Sequence, residues 1–304
     1  MEKLPTRRKF LQATAISAAA FMLPVTTFAN NPVNLGSGKN PVRKPFGMKL
    51  GFMSSMAQDK TLPELIEMAE KYHFQAVEFR PEWDHAHGVE LTMTGAQRKE
   101  ARKLFADSGV SISAISPGVK FLRDDRDEQL EKMYRYIDLA ADLGAPCIRF
   151  FADKLPEDPA ERRESRRIQS EYQARAAEKA WEAGVMLALE THGNSIGFDT
   201  GEMMYLAGFP PAFRVNWHLS HCLRNGEDAD TAYRHIKGRV VHVHFSIPDE
   251  AEKMKAIERQ FELLLYDGFE GAFSVEIIKK GDNTDQLIAH AQMWEKMKEK
   301  YNVS

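Results

Sequence analysis

The sequence has little cysteine, no excess of either charge and only one long apolar run. Two cysteines in 304 residues are too few for a disulfide framework. The 41 Lys and Arg residues nearly balance the 44 Asp and Glu residues, so the net charge is −3 and no global positive field exists to hold a nucleic-acid backbone. The hydrophobic share of 43% is sufficient for a sizeable core. These values indicate an ordinary globular chain.

The apolar run lies at the N-terminus, within a pattern typical of a secretory signal. A charged start is followed by an alanine-rich stretch to about residue 24 and by small residues up to Ala29. Residues 6–11 (TRRKFL) resemble a twin-arginine export signal. We therefore expect a signal peptide at residues 1–29, a flexible lead-in at 30–46 and a periplasmic protein. A membrane anchor is disfavoured, because the run is short and rich in Ala, Thr and Ser.

Cleavage after Ala29 would leave a mature chain without a second long apolar run, so we expect no membrane span in it. The removed segment carries a net charge of +3, which leaves the mature chain at −6 and further disfavours nucleic acid as a partner. Cys147 is expected near the start of one strand and Cys222 just past the end of another. We therefore expect two free thiols.

Short apolar runs alternate with longer amphipathic segments from residue 47 to the end. A first helix is indicated by Leu62, Leu65, Ile66 and Ala69, which recur at helical spacing. The other helices are predicted near 95–107, 126–143, 160–183, 201–207, 228–236, 251–265 and 284–300. The predicted strands are 48–53, 76–79, 111–115, 147–151, 186–190, 213–217, 240–244 and 272–278.

Eight strand-helix units in about 255 residues predict a single-domain (β/α)8 TIM barrel over residues 47–304. The alternative is an open, doubly wound parallel sheet. That fold is expected to carry a glycine-rich phosphate loop after its first strand. Residues 53–57 (MSSMA) do not form such a loop, so the barrel is the favoured fold.

Polar side chains follow most of the predicted strands at their carboxyl ends. In a (β/α)8 barrel these ends meet at one face, where active sites lie. Five of the ten histidines fall at the ends of three successive strands. The polar residues at the strand ends are Glu78, Arg80, Arg149, Asp153, Glu190, His192, His218, His221, His242, His244 and Glu276.

Glu190 and Glu276 lie within apolar runs, where a buried carboxylate requires a positive partner. A divalent metal ion shared with imidazoles would supply that charge. A single histidine on a strand is more often a core or surface residue, so the metal hypothesis depends on the whole set. The fourth ligand, from strand six, is either His218 or His221.

The remaining histidines are assigned by their positions. We expect His244 to point into the barrel and His242 outward, unless distortion at the barrel end turns both inward. His192 and His221 are expected to face the substrate or to support the ligands. His85 and His87 are expected to be solvated loop residues, and a surface position is expected for His73, His235 and His290.

At these residues the chain resembles the xylose isomerase-like barrel family of sugar isomerases and epimerases, from about residue 49 to 300. The most specific segments are 189–192 (LETH), 241–244 (VHVH) and 266–276 (YDGFEGAFSVE). The resemblance implies a divalent metal ion held by Glu190, a strand-six ligand, His244 and Glu276. At strand six such proteins usually carry Asp-x-x-His, whereas this chain has His218 in place of the Asp. The extra nitrogen favours Mn, Fe, Co or Zn over Mg.

The resemblance also implies a reaction on a free sugar or keto-sugar. One carboxylate of the pair Glu190 and Glu276 would remove a carbon-bound proton, and the other would return it to the enediolate. The expected substrate-binding residues are Glu78, Arg149, His192, His221 and His242.

Three alternatives remain open. The same metal and base could cleave a keto-glycoside, as a lyase or hydrolase. The His218 change could mark a sugar-binding barrel that lacks catalysis. An abasic-site endonuclease is disfavoured, because a chain of net charge −6 does not suit DNA binding. The sequence does not identify the sugar, the metal or the oligomeric state, and a homo-oligomer is one option.

Overall fold

The computed structural model describes residues 47–122, 124–152 and 154–303. Eight parallel strands close into a barrel in chain order, which confirms the predicted fold. The predicted signal peptide, the lead-in at 30–46 and Asp153 lie outside the described residues. The strands are β1 Lys49–Met53, β2 Ala76–Phe79, β3 Ser111–Ile115, β4 Cys147–Phe151, β5 Met186–Glu190, β6 Phe213–His218, β7 Val240–Phe245 and β8 Ala272–Val275.

The barrel closes where β1 pairs in parallel with β8, from Lys49 opposite Ala272 to Phe52 opposite Val275. The register shifts once between β2 and β3 and once between β6 and β7. Because all eight strands are parallel, their carboxyl ends meet at one edge. We call this edge the mouth of the barrel.

The helices follow the strands in the expected alternation, with a short 3-10 turn at Ser54–Met56 after β1. Most bounds agree with the predictions within two residues. Helices of the described residues are α1 Leu62–Lys71, α2 Gly95–Ser108, α3 Arg126–Leu143, α4 Pro159–Glu182, α5 Gly197–Leu206, α6 Leu219–Arg224, α7 Ala229–Ile236, α8 Ala251–Tyr266 and α9 Thr284–Tyr301.

Three element bounds differ from the sequence predictions. Helix α6 was not predicted, because six residues are too few to show a helical period. Helix α5 begins at Gly197, four residues before the predicted start, because the distant Glu227 carboxylate accepts hydrogen bonds from the Gly197 and Phe198 amides. Strand β8 ends at Val275, so Glu276 lies just beyond the strand.

Local sequence signals set other helix ends. The Asp158 side chain accepts hydrogen bonds from the Ala160 and Glu161 amides and caps α4, which has Pro159 at its first position. Gly144 ends α3 with φ +77°, a left-handed conformation that glycine adopts without steric cost. Gly144 explains why the 126–143 helix was predicted to end where it does.

The core fills the barrel and the layer between strands and helices. Cys147 packs inside the barrel with Ala114 and Ala188. Cys147 and Cys222 are both buried free thiols. Within the described ranges, no helix has the length and apolar character needed to cross a bilayer. Large fully buried side chains between the layers include Trp217, Trp294, Tyr136, Phe150 and Phe273.

Candidate functional site

Four predicted ligand residues meet at the mouth. Glu190 ends β5, His218 ends β6, His244 lies one residue before the end of β7, and Glu276 directly follows β8. Each offers a ligand atom, and these four atoms lie within 4.8 Å of one another. We call this group the four-residue cluster. Adjacent parallel strands bring it together, because each contributes one residue at the same level of the barrel.

Both imidazoles of the cluster lie between the two carboxylates. Glu190 Oε1 is 2.8 Å from His218 Nδ1 and 3.1 Å from His244 Nδ1. Glu276 Oε2 is 3.3 Å and 3.4 Å from the same two nitrogen atoms. Donors bound to one ion at about 2.1 Å are about 3.0 to 3.4 Å apart in octahedral or tetrahedral geometry. The observed separations therefore fit a single divalent cation.

Beneath the cluster, Glu78 connects His242 to His244. Glu78 Oε2 is 2.9 Å from His242 Nε2, and Glu78 Oε1 is 2.9 Å from His244 Nε2. Ser116, which follows β3, also donates a short hydrogen bond to Glu78. Glu78 and His242 are both buried. Sequence reasoning missed Ser116, although its position immediately after a strand was the available signal.

The expectation that His242 points outward is wrong. Side chains alternate across a strand with a period of two, so residues 242 and 244 share a face. Both imidazoles point into the barrel, with ring centroids 5.5 Å apart. The inward position of His242 therefore follows from ordinary strand geometry and needs no distortion of the barrel end.

The cluster favours positive charge at its centre. Burial is the largest single effect on the Glu276 carboxylate and would raise its pKa, but the charges of His244 and His218 and the hydrogen bond with His244 together outweigh burial and lower this pKa to about 2. The pKa values of Glu190 and Glu78 fall well below their ordinary range for the same reason. Burial alone would lower the pKa of His244, but the surrounding carboxylates hold it well above its ordinary value. A proton on His244 and a divalent cation would therefore compete for this position.

Aromatic and imidazole rings form one wall of the mouth. The His192 ring stacks on Phe151 at 4.7 Å between centroids and contacts His221 at 4.4 Å. His221 in turn packs edge-on against His218. His221 Nδ1 accepts a hydrogen bond from the Gly193 amide, and this imidazole lies outside the four-residue cluster. The structure thus brings His218, and not His221, to the carboxylates.

Arg149 lies inside the barrel below Phe151. Its side chain is 3% exposed, and its Nε is 3.5 Å from Glu190 Oε2. Arg80, directly after β2, is half-buried and stacks its guanidinium on the exposed Trp83 ring, 3.8 Å from the centroid. The two arginines that the sequence placed at strand ends therefore lie at the mouth, in the case of Arg80, and just inside it, in the case of Arg149.

Three histidines expected at the surface are buried instead. His85 and His87 both pack near the Ser54 hydroxyl, and His87 Nδ1 accepts a hydrogen bond from the Val89 amide. His290 is fully buried, and its Nε2 accepts a hydrogen bond from the Ile247 amide. Each of these imidazoles lies next to a buried or partly buried polar group and gives it a hydrogen-bond partner. Their positions in the sequence did not indicate these contacts.

Comparison with known proteins gives a family match and similar folds. The profile of the xylose isomerase-like TIM barrel family matches residues 66–297. No curated protein sequence matches the chain. A solved L-ribulose 3-epimerase shares 18% identity and a TM-score of 0.65, covering 83% of this chain and 96% of its own.

Two further solved structures have the same fold. D-psicose 3-epimerase, solved in the presence of D-fructose, has 18% identity and a TM-score of 0.63, covering 84% of this chain and 96% of its own. The apo 3-keto-D-glucoside 4-epimerase from E. coli has 14% identity and a TM-score of 0.65, covering 82% of this chain and 99% of its own. At these identities the likeness establishes the fold.

Proposed function

Because this chain belongs to the xylose isomerase-like TIM barrel family, we propose that it is a metal-dependent isomerase or epimerase of a free sugar or keto-sugar. The observation that carries the proposal is the pair Glu190 and Glu276, held on two imidazole nitrogens at the mouth. The three epimerases of similar fold act on sugars or a keto-glucoside by their names, which supports the substrate class.

We assign one divalent cation to Glu190, His218, His244 and Glu276. Two nitrogen and two oxygen donors favour Mn, Fe, Co or Zn over Mg. When bound, the cation would act as a Lewis acid on neighbouring hydroxyl and carbonyl oxygens of the sugar and acidify the adjacent C–H group. Glu78 would orient His244 by accepting a hydrogen bond from Nε2, which leaves Nδ1 free of a proton as a ligand.

The two carboxylates would move the proton. One of Glu190 and Glu276 removes it from carbon, leaving an enediolate, and the other returns a proton to carbon. Return on the opposite face of the same carbon is epimerisation, and return to the neighbouring carbon is aldose–ketose isomerisation. The Glu276 side chain is 14% exposed against 1% for Glu190, so Glu276 is our assignment for the carboxylate that contacts the substrate first.

Substrate contacts are assigned to the residues around the cluster. Arg149, His192 and His221 would bind substrate oxygens at the wall of the mouth. Glu78 and His242 already bond to each other and are fully buried, so we assign them a positioning role in place of the predicted substrate contact.

Hydrogen–deuterium exchange at carbon tests the proposal. Mn²⁺-loaded protein is incubated with D-fructose and with a 3-keto-glucoside in deuterated water, and deuterium incorporation is followed by NMR. We expect exchange that falls about 100- to 10,000-fold in Glu276→Gln and Glu190→Gln. Glu227→Gln is the matched control, because Glu227 is a buried carboxylate outside the cluster, and it should retain the exchange.

The outcomes separate the alternatives. Exchange without glycosidic cleavage supports the isomerase or epimerase, whereas release of the aglycone identifies the lyase or hydrolase. Sugar binding by a protein that holds no divalent metal after purification would identify a non-catalytic barrel. Absence of both exchange and cleavage with a fully metal-loaded protein would overturn the enzymatic proposal.

Export is part of the same proposal. The twin-arginine motif at residues 6–11 would direct the folded protein to the periplasm. Cell fractionation of the full chain tests it, with a variant in which Arg7 and Arg8 are both replaced by lysine as control. We expect periplasmic protein only from the parent sequence, and equal distribution of the two would contradict the assignment.

A further inference from the structure

Arg149 is a buried cation with incomplete pairing. It shares the inward face of β4 with Cys147 and Phe151, because side chains two residues apart point the same way. Its Nε has no hydrogen-bond partner among the described residues, since the 3.5 Å approach to Glu190 is too long. Burying a guanidinium is costly unless its donors are used. The Phe151 ring, 5.2 Å from the Arg149 Cζ, fixes the side chain in this position.

A second guanidinium, that of Arg80, lies directly after β2 at the same edge of the barrel, on a loop with two residues of positive φ. Arg80 stacks on Trp83, whose neighbours Glu82 and Asp84 have φ values of +73° and +53°. Hydrogen bonds from Tyr136 Oη and the Gly118 amide hold the Glu82 carboxylate. In the described part of the chain, Arg80 has no carboxylate within 4.0 Å of its guanidinium. These contacts of the Glu82 side chain hold the loop in its strained conformation, and the loop in turn keeps the Trp83 ring against the Arg80 guanidinium.

The two guanidiniums act on each other. The pKa of Arg80 is lowered first by burial and next by the charge of Arg149. Two cations held together in a partly buried site repel, and this arrangement is stabilised when an anion lies between them. If the imidazole ligands are neutral, the positive charges of a bound divalent cation and the two arginines would outnumber the negative charges of three carboxylates by one. These carboxylates belong to Glu78, Glu190 and Glu276.

We propose that Arg80 and Arg149 form a subsite for a carboxylate group of the substrate, so that the enzyme acts on an acidic sugar of the uronate or keto-acid class. This inference rests on the proposed function, because the subsite lies beside the cluster assigned to proton transfer. A planar carboxylate accepts paired hydrogen bonds from guanidinium groups and carries the single charge that the site lacks. A phosphate dianion would exceed that charge, and a neutral hydroxyl would leave the cations uncompensated.

Calorimetric binding to Mn²⁺-loaded protein tests the subsite with pairs that differ only at C6. The pairs are D-glucuronate with D-glucose and D-galacturonate with D-galactose, and D-glucose 6-phosphate is the phosphate probe. We expect at least one uronate to bind about 10- to 100-fold more tightly than its neutral partner. The preference should fall to within about twofold in Arg149→Gln, and it should fall by about tenfold from the parent value in Arg80→Gln.

Arg175→Gln is the control, because Arg175 is an exposed arginine of α4 away from the mouth, and the preference should persist there. Arg80→Gln keeps the test decisive if Arg149→Gln does not fold, since Arg80 is only half-buried. A uronate preference that is absent, that survives in Arg80→Gln, or that is smaller than the preference for the 6-phosphate overturns the subsite.

The carbon exchange assay separates this inference from the proposed function. Exchange on neutral keto-sugars without any arginine-dependent uronate preference refutes the acidic-sugar subsite and leaves the isomerase standing. An arginine-dependent preference without exchange on either acidic or neutral keto-sugars supports the subsite and refutes the isomerase.

Discussion

Replacing His218 with aspartate changes the charge of the four-residue cluster while keeping its donor geometry. Histidine Nδ1 and aspartate Oδ are both bonded to Cγ, so the new oxygen can occupy the same position. That position is 2.8 Å from Glu190 Oε1 and 3.3 Å from Glu276 Oε2. His218→Asn is the matched control, because it offers an uncharged oxygen at the same point.

The expected cost follows from these two distances. At an effective dielectric constant of about 20, each like-charge pair at such a separation repels by about 5 to 6 kcal/mol. Proton uptake by the new carboxyl group is the less costly response, because protonating an aspartate of ordinary pKa at pH 7 costs about 4 kcal/mol. Metal-free His218→Asp should therefore be less stable than His218→Asn by at most about 4 kcal/mol at pH 7 and about 1.5 kcal/mol at pH 5.

Urea denaturation of both variants, in EDTA and in saturating Mn²⁺, measures this difference. A divalent cation neutralises the added carboxylate, so Mn²⁺ should stabilise His218→Asp more than His218→Asn and close or reverse the gap. Two variants of equal stability at pH 7 in EDTA would refute the electrostatic reasoning. An Mn²⁺ effect no larger for aspartate than for asparagine would refute the assignment of this position to a cation.

Three further predictions concern groups outside the cluster. Glu227→Ala leaves the buried Gly197 amide and the partly buried Phe198 amide of α5 without an acceptor. Urea denaturation should show an unfolding free energy lower by about 2 to 4 kcal/mol, against about 1 kcal/mol for Glu227→Gln. Burial lowers the pKa of His87 from 6.5 to about 3, so the unfolded chain takes up a proton first as pH falls. The unfolding free energy should therefore decline below pH 6.5 and be lower by about 2 kcal/mol at pH 5. His87→Gln should reduce this pH dependence. An unchanged pH dependence in that variant would contradict a buried, neutral His87 imidazole. Burial also raises the pKa values of Cys147 and Cys222, so iodoacetamide should label neither thiol until urea unfolds the chain, as mass spectrometry would show.

The alternation of short apolar runs and amphipathic segments was enough to predict the barrel. Segments such as 111–115 and 147–151 were predicted at their observed bounds, because buried parallel strands are short and apolar and glycines such as Gly144 mark the preceding helix ends. The same reasoning placed the candidate site residues at one edge, since carboxyl ends of parallel strands must meet there. Helix α6 escaped prediction because its six residues carry no readable period.

The choice among neighbouring histidines depended on the folded chain. Both His218 and His221 follow β6, but the turn into α6 directs the first to Glu190 and the second to the Gly193 amide. His242 could have been placed inward from the sequence by the strand period, and our expectation for it was wrong on that ground.

The positions of polar residues at the strand ends follow from local periodicity and burial, which require no knowledge of distant partners. The contacts among these residues depend on the folded barrel. Glu78 on β2 meets His244 on β7 across the barrel interior, 166 residues away along the chain. Contacts of that kind depend on barrel closure, register and side-chain direction, and they determine which imidazole nitrogen faces the mouth.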